Sequence, residues 1–370
     1  MVDMQLKRDE QAGLKLRELY RLHGYNQYKM NKFEEYDLYV RNKDFLISDS
    51  IITFTDTNGR LLALKPDVTL SIIKNSRDEG ELNKVYYDEN VYRISESTKS
   101  FKEIKQVGLE CIGDIDIFLM YEVLSLAVKS LKTVSDSYVL DIADLKVTAA
   151  LLDKITDDAA LKRKIVKCIS DKNAHELDTL LVGAPEIYGN ALKALIGIYG
   201  SPTQVLPLLH SVLDTVLPEN ILSDLEAVSA LLEKEHISDA VRIDFSVIND
   251  IKYYNGIVFK GFVNGIANGV LSGGRYDSLL KRMGKSCGAI GFAVYLDLLE
   301  ELNAPRSEYD VDVVFLYDNQ SDLALLSKKI VDFTDTGSSV IALKKLPEKL
   351  KYKKLLKIQG KEVTLLENNA

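Results

Sequence analysis

The sequence predicts an α+β fold, an antiparallel sheet with flanking helices. Short alternating runs broken by turn residues extend from FTDT to ECIG. Residues 151–238 then switch to helical spacing with almost no strand pattern, and alternation returns at VRIDFSVI. Strands interrupted by helices, rather than alternating regularly with them, give this class.

Residues 14–23 place Leu16, Leu19, Tyr20 and His23 at three- and four-residue spacing and stop at Gly24, the pattern of an amphipathic helix ended by a glycine. FTDT and RLLALK flank Asn58-Gly59, a dipeptide suited to a tight hairpin turn, so the sheet is expected to begin there. VYYDENVYRI and EIKQVGLECIG continue it, and Asp116 stands where it caps a helix through IFLMYEVLSLAVKSL. Residues 151–238 read as an inserted helical subdomain. Strands resume in VRIDFSVI and YYNGIVFKGFVNG, and GFAVYLDLLEEL reads as a helix that closes a main body over residues 1–302. Pro305 and the polar PRSEYD form a linker. Beyond it VDVVFLY, DLALLSKKIVDFT and SSVIALKK read as strand, helix and strand, a small C-terminal α/β unit over 310–370 with a minimal sheet.

With 370 residues, 46% of them hydrophobic, the chain is long enough for one large core and a smaller unit. The start of the chain lacks an apolar leader and no later run is apolar enough to span a bilayer, so the expected location is cytoplasmic with no membrane partner. A net charge of -8 argues against a large nucleic-acid footprint, because Lys and Arg supply most of the affinity for phosphates. The basic run KKLPEKLKYKKLLK reads as a solvated helix face. Cys111, Cys168 and Cys287 have no C-x-x-C spacing and read as buried reduced thiols, with no metal site expected.

In EIKQVGLECIG, the two-residue period of a strand puts Ile104, Gln106, Gly108 and Glu110 on one face and Lys105, Val107, Leu109 and Cys111 on the other. Glycine between Gln106 and Glu110 leaves room for something to approach, and a carboxylate beside an amide suits an ammonium group or an imidazole N–H. A solvent-facing polar face explains the same pattern equally well. In KPDVT, Asp67 and Thr69 could both accept from an ammonium, but Pro66 also serves as a strand terminator and Asp67 as a helix cap. Tyr253 and Tyr254, ahead of Asn255-Gly256, suit either a ligand wall or strand aromatics before a turn. SGGRYDSLL joins two glycines to Arg275, Tyr276 and Asp277. The run Gly284, Lys285, Ser286 is no phosphate loop, since Leu279 occupies the place of its leading glycine. With four scattered histidines and neither HExxH nor G-x-S-x-G, metal hydrolysis and serine-nucleophile chemistry have no support.

Taken in order, these segments resemble histidyl-tRNA synthetase, a class II aminoacyl-tRNA synthetase, over about residues 10–300. GYNQYKMNKFE resembles the dimer-forming motif 1, LALKPDVT the family's L-R-P-E-x-T, and VYRISESTKSFKEIKQVGLECIG motif 2. NDIKYYNGIVF stands where the family has R-G-L-D-Y-Y-x-x-x-V-F, GGRYDSLL matches closely, and GAIGFAVYLDLL resembles motif 3. The resemblance implies a class II synthetase-like fold whose amino-acid pocket holds Asp67, Thr69, Gln106, Glu110, Tyr254 and Tyr276.

The departures fall on the chemistry. Asn31 replaces the motif 1 proline, Asn249 the histidine-specific arginine, and Leu298 the motif 3 arginine. In motif 2 only the first arginine remains, as Arg93, available to contact an anion or phosphate; the loop is one residue shorter, with Ser95 and Ser97 where a Glu and a second Arg are expected. One preorganised group on a developing charge is commonly worth ~10²- to 10³-fold in rate, so losing two leaves negligible adenylation and no catalytic residue.

A kept amino-acid pocket without the catalytic cations resembles the regulatory subunits of short-form ATP phosphoribosyltransferase, paralogues of histidyl-tRNA synthetase in histidine biosynthesis. That resemblance implies a homodimer core in a hetero-octamer with a separate catalytic subunit, which it activates, and histidine as feedback inhibitor. No cofactor is implied, and tRNA is not an expected partner. The short 310–370 segment is too small for the synthetase's full anticodon-binding domain. Two other readings stand beside this one. One is a divergent active histidyl-tRNA synthetase with Lys99, Lys102 or Lys252 in place of the arginines; the other is a stand-alone amino-acid- or tRNA-binding protein.

Overall fold

The computed structural model describes residues 6–42, 51–76, 81–94, 100–248, 253–302 and 309–369. Two compact units emerge: Arg8–Leu302, and Asn303–Ala370 together with Met1–Lys7. The expected linker at Pro305 lies outside the described residues.

The larger unit begins with α1 (Arg8–Leu22), β1 (Asn26–Gln27), β2 (Phe33–Glu35), α2 (Tyr36–Arg41), β3 (Thr53–Thr55), β4 (Leu61–Leu64) and α3 (Thr69–Asn75). α1 buries Leu16 and Tyr20, and the chain turns away at Gly24, whose φ of +80° is the left-handed torsion glycine adopts without strain. β3 and β4 do form the expected hairpin, with Thr55 opposite Leu61, but its connection is five residues long. The Asp56 carboxylate organises it, accepting from the backbone N–H groups of Asn58 and Arg60, both at 2.8 Å, while Gly59 takes the left-handed torsion. This hairpin does not open the main sheet. It belongs to a separate three-stranded sheet of order β2-β4-β3.

Next come β5 (Asn83–Ile94), β6 (Phe101–Gly113), α4 (Ile117–Val134) and β7 (Tyr138–Asp144). Asp116 caps α4 as expected, its carboxylate accepting from Leu119 N–H at 2.8 Å. The helices α5 (Leu145–Ile155), α6 (Ala159–Ser170), α7 (Ala174–Leu180), α8 (Glu186–Gly197), α9 (Pro202–Leu213) and α10 (Ser223–Lys234) follow, with β8 (Tyr199–Gly200) among them. β9 (Val241–Asp244), β10 (Ile257–Val263), β11 (Leu271–Arg275), α11 (Asp277–Arg282) and β12 (Gly288–Tyr295) complete the unit. The main sheet has nine strands in the order β1-β5-β6-β12-β11-β10-β7-β9-β8.

The sheet is mixed rather than wholly antiparallel, because β1 with β5 and β7 with β9 run parallel. The second pair explains the helical stretch. Parallel neighbours require a long crossover, and α5 to α10 provide it. Instead of standing off as a subdomain, these helices bury Leu151, Ile165, Leu192, Leu209, Leu225 and Leu232 in the same core as Val107, Leu109 and Leu140 of the sheet.

GFAVYLDLLEEL is a second correction. Residues through Tyr295 form β12, held between β6 and β11, and only Leu296–Glu301 coil, as a 3₁₀ helix. An apolar run buried on both sides loses the alternation that distinguishes strand from helix.

The smaller unit contains β13 (Val311–Leu316), α12 (Leu323–Asp335), β14 (Val340–Leu343), β15 (Tyr352–Gln359) and β16 (Glu362–Asn368). Its sheet has four strands, β14-β13-β15-β16, more than the minimal one expected. The basic run does not lie on a helix: its second half enters β15, which buries Tyr352, Leu355 and Ile358 and carries Lys353, Lys354, Leu356 and Lys357 between them. No helix among the described residues is long and apolar enough to cross a membrane.

Candidate amino-acid pocket

β6 presents two unlike faces. Val107, Leu109 and Cys111 enter the main core, whereas Gln106 and Glu110 line a cavity of about 440 Å³ on the opposite side. Both are buried, at 3% and 2% exposure, so the solvent-facing alternative is excluded. The same cavity is lined by Asp67, Thr69, Arg93, Tyr254 and Tyr276, which brings all seven candidate residues together. Tyr87, Tyr253, Lys260, Ser272 and Tyr295 also line it, and the sequence reading had missed all of these as site residues except Tyr253.

Register explains much of the convergence. One row of paired residues runs across the sheet: Tyr87 on β5, Gly108 on β6, Ala293 on β12, Ser272 on β11, Lys260 on β10 and Asp141 on β7. Small residues in the middle leave a floor between a tyrosine and a lysine. Gly108 has a different use from the one expected. A Cβ there would lie 2.5 Å from the Tyr87 hydroxyl and 2.3 Å from the Phe292 carbonyl, so the glycine admits Tyr87.

KPDVT is held against β5. Lys65, almost fully buried, pairs with Glu89; Arg93 Nε donates to the Pro66 carbonyl at 2.9 Å; and Tyr92 N–H donates to the Lys65 carbonyl at 2.9 Å. Asp67 accepts from Leu70 N–H at 2.9 Å at the start of α3, so it helps cap the helix while it lines the cavity. Its burial pushes its pKa up, with the Leu70 N–H and then Arg93 opposing the rise.

Glu110 is the most perturbed acid of the site. Thr69 Oγ1 donates to it at 2.7 Å and the Tyr276 hydroxyl donates to its other oxygen. Burial still dominates these two bonds and, with a smaller contribution from Asp67, raises its pKa to about 8. A Cβ on Gly291, the residue paired with Glu110, would fall 1.8 Å from the carboxylate. The side-chain amide of Gln106 makes no hydrogen bond among the described residues and faces the cavity, where a ligand or water can meet it.

Arg275 and Asp277 brace the site without lining it. Asp277 accepts from Arg275 Nε at 2.8 Å and from Ala289 N–H at 3.0 Å, and its own N–H donates to Asn255 Oδ1 at 2.8 Å. These bonds fix the turn after Tyr254 against the start of α11, which Tyr276 immediately precedes. Tyr253 stacks edge-on to Tyr254 at 4.7 Å and lies 5.6 Å from the Tyr276 ring, so the pair does form an aromatic wall.

The positions of the lost cations differ in outcome. Leu298 packs on the hydrophobic core. Lys102, one proposed replacement, is exposed on β6 and does not line the cavity. Asn249, Ser95, Ser97, Lys99 and Lys252 lie outside the described residues. A cavity of this size, with acceptors, hydroxyls and aromatic rings around an acid, has the room and the polarity for a small molecule carrying N–H groups.

The sequence model of the histidyl-tRNA synthetase family matches residues 1–299, and the chain belongs to that family. Within it the chain is one of the histidyl-tRNA synthetase-like ATP phosphoribosyltransferase regulatory subunits. The protein of that name from Caldanaerobacter subterraneus subsp. tengcongensis is 30% identical over 301 residues, covering 76% of this chain and 75% of its own. The fold is also that of an ATP phosphoribosyltransferase regulatory subunit/histidyl-tRNA synthetase from Bacillus halodurans, with a TM-score of 0.76 at 22% identity over 95% of this chain and 94% of the other. A chain of the ATP phosphoribosyl transferase (HisG:HisZ) complex from Thermotoga maritima aligns with a TM-score of 0.62 at 20% identity, covering 79% and 98%.

Proposed function

We propose that this chain is a non-catalytic regulatory subunit that binds histidine in the β6 cavity and conveys its occupancy to a separate ATP phosphoribosyltransferase catalytic subunit. The observation that carries this reading is the convergence of Asp67, Thr69, Gln106, Glu110, Tyr254 and Tyr276 on one cavity while the motif 3 cation position holds Leu298, packed against the core. Glu110 supplies the acceptor for an imidazole or ammonium N–H, Gln106 the free amide, and the tyrosines a wall with polar tips. Adenylation needs fixed cations on a transferring phosphoryl group, and a flexible lysine is a poor substitute for an arginine fork.

The names of the relatives and the Thermotoga complex support a catalytic partner for this chain as well. In such an assembly, a homodimer of this chain docks with the catalytic subunit, and histidine shifts the balance between two quaternary states by its differential affinity, commonly ~1–3 kcal/mol. Three measurements separate this reading from its competitors. Calorimetry should detect histidine binding by the purified chain. Histidine-dependent ATP–pyrophosphate exchange should be absent, and robust exchange would establish an active synthetase instead. The chain should co-purify with a phosphoribosyltransferase subunit, whereas failure to do so would leave a stand-alone binding protein.

A further inference from the structure

We infer that Lys260 is the anion anchor of the cavity, the residue that takes the carboxylate of a bound amino acid and so selects a zwitterion over a simple amine. This rests on the reading of the cavity as an amino-acid site and adds to it the group that meets the ligand's carboxylate.

Two basic residues line the cavity among the described residues, Arg93 and Lys260. Arg93 is already committed: its Nε donates to the Pro66 carbonyl, and its charge faces Asp67 and the Tyr295 hydroxyl. Lys260 holds no such hydrogen bond among the described residues, although its charge acts on Asp141. It is half-buried on β10, and no carboxylate lies within ion-pair distance of its ammonium among the described residues. Asp141, opposite it on β7, is the nearest acid in register and stays outside that distance.

The fold directs the side chain as well. The stem lies over Gly269, where a Cβ would meet its carbons at 2.4–3.1 Å, and the ammonium sits 5.5 Å from the Phe262 ring. Asn268 and Ser272 line the cavity beside it. A cation with an amide and a hydroxyl forms a set of donors for a carboxylate. Glu110 with Thr69 and Tyr276 forms the acceptor group elsewhere in the cavity. The Tyr87, Gly108, Ala293, Ser272, Lys260 row places Lys260 three strands away from the β6 face that holds Gln106 and Glu110. The cavity therefore presents its donors and its acceptors at separate places, as a zwitterion requires.

The test compares L-histidine with histamine, which keeps the imidazole and the amine and lacks the carboxylate, by calorimetry on the full chain. The wild-type protein should bind histidine more tightly than histamine. Lys260→Met should lower histidine affinity roughly 10- to 150-fold, the range for a lost hydrogen bond to a charged group, and leave histamine affinity within a few-fold. Lys260→Arg should retain most of the histidine affinity. Equal wild-type affinity for the two ligands overturns the assignment without recourse to any variant, and so does wild-type histidine binding by Lys260→Met. An equal loss of both ligands in Lys260→Met would make the residue structural and overturn it too. If the wild-type chain binds neither ligand, the amino-acid reading itself fails and takes this one with it.

Discussion

The Tyr276 hydroxyl donates to the Glu110 carboxylate, joining the residue that precedes α11 to the middle of β6 across 166 positions of the chain. Thr69 at the start of α3 donates to the other oxygen. A single acid thus gathers two helix starts onto one strand, and its state bears on both ligand binding and stability.

Replacing Glu110 by Gln keeps the volume and removes the ionised form. Above pH 8, where Glu110 is mainly charged, histidine affinity should fall roughly 10- to 150-fold, since a hydrogen bond to a charged group contributes ~1.5–3 kcal/mol. In the reconstituted complex the catalytic subunit should stay active without histidine, and the concentration needed to inhibit it should rise by a similar factor. Inhibition of the Glu110→Gln complex at the wild-type concentration would place the regulatory site elsewhere.

The same acid makes stability pH-dependent, with a definite sign. Folding raises the Glu110 pKa from its ordinary value of 4.5 to about 8, so between these values the folded chain holds a proton that the unfolded chain has lost. Its stabilising contribution is full below pH 4.5 and is lost as pH rises through 8, at up to ~1.4 kcal/mol per pH unit. Asp141 and Asp144, both raised to about 6 chiefly by burial, act in the same direction at lower pH. Denaturation curves without ligand should therefore show wild-type stability falling between pH 6 and pH 8, and Glu110→Gln falling distinctly less. Parallel curves for the two proteins would mean that Glu110 is ionised throughout.

Gly291→Ala tests the packing over the acid. The added methyl would lie 1.8 Å from Glu110 Oε2 and 2.4 Å from the Leu109 carbonyl, and a backbone atom cannot step aside cheaply. Overpacking of this kind costs about 1–3 kcal/mol, so urea denaturation should show a loss in that range together with weakened histidine binding. Unchanged stability would mean that the strands are less tightly apposed than described.

Assembly offers a fourth test. Phe33, in the segment that resembles the dimer-forming motif, is 48% exposed and meets the 38% exposed Phe54 edge to face at 5.6 Å, with Leu61 exposed at 46% on the same small sheet. The chain should sediment as a dimer at micromolar concentration, and Phe33→Glu should shift it toward monomer while leaving its circular dichroism unchanged. A monomeric wild-type chain would count against the homodimer.

What the sequence determined by itself was whatever depends on neighbours along the chain. The two-residue period of β6 placed Gln106 and Glu110 on one face, Gly24 marked the end of α1, and Asp116 announced the cap of α4. Ordered motifs added Asp67, Thr69, Tyr254 and Tyr276, none of which separated from a turn or cap on its own residues. The tertiary structure decided what depends on which strands become neighbours. Lys260 carried a faint signal, a lone charge in the apolar IVFKGF, but only the β10–β11–β12–β6 register aligns it with the cavity floor. The helices read as a subdomain became a crossover because β7 and β9 run parallel, and the GFAVY segment became a strand because β6 and β11 enclose it. Periodicity reports how one segment partitions between core and solvent. It carries no information about which distant segment shares its hydrogen bonds, and that pairing is what sets Lys260 and Glu110 around one cavity.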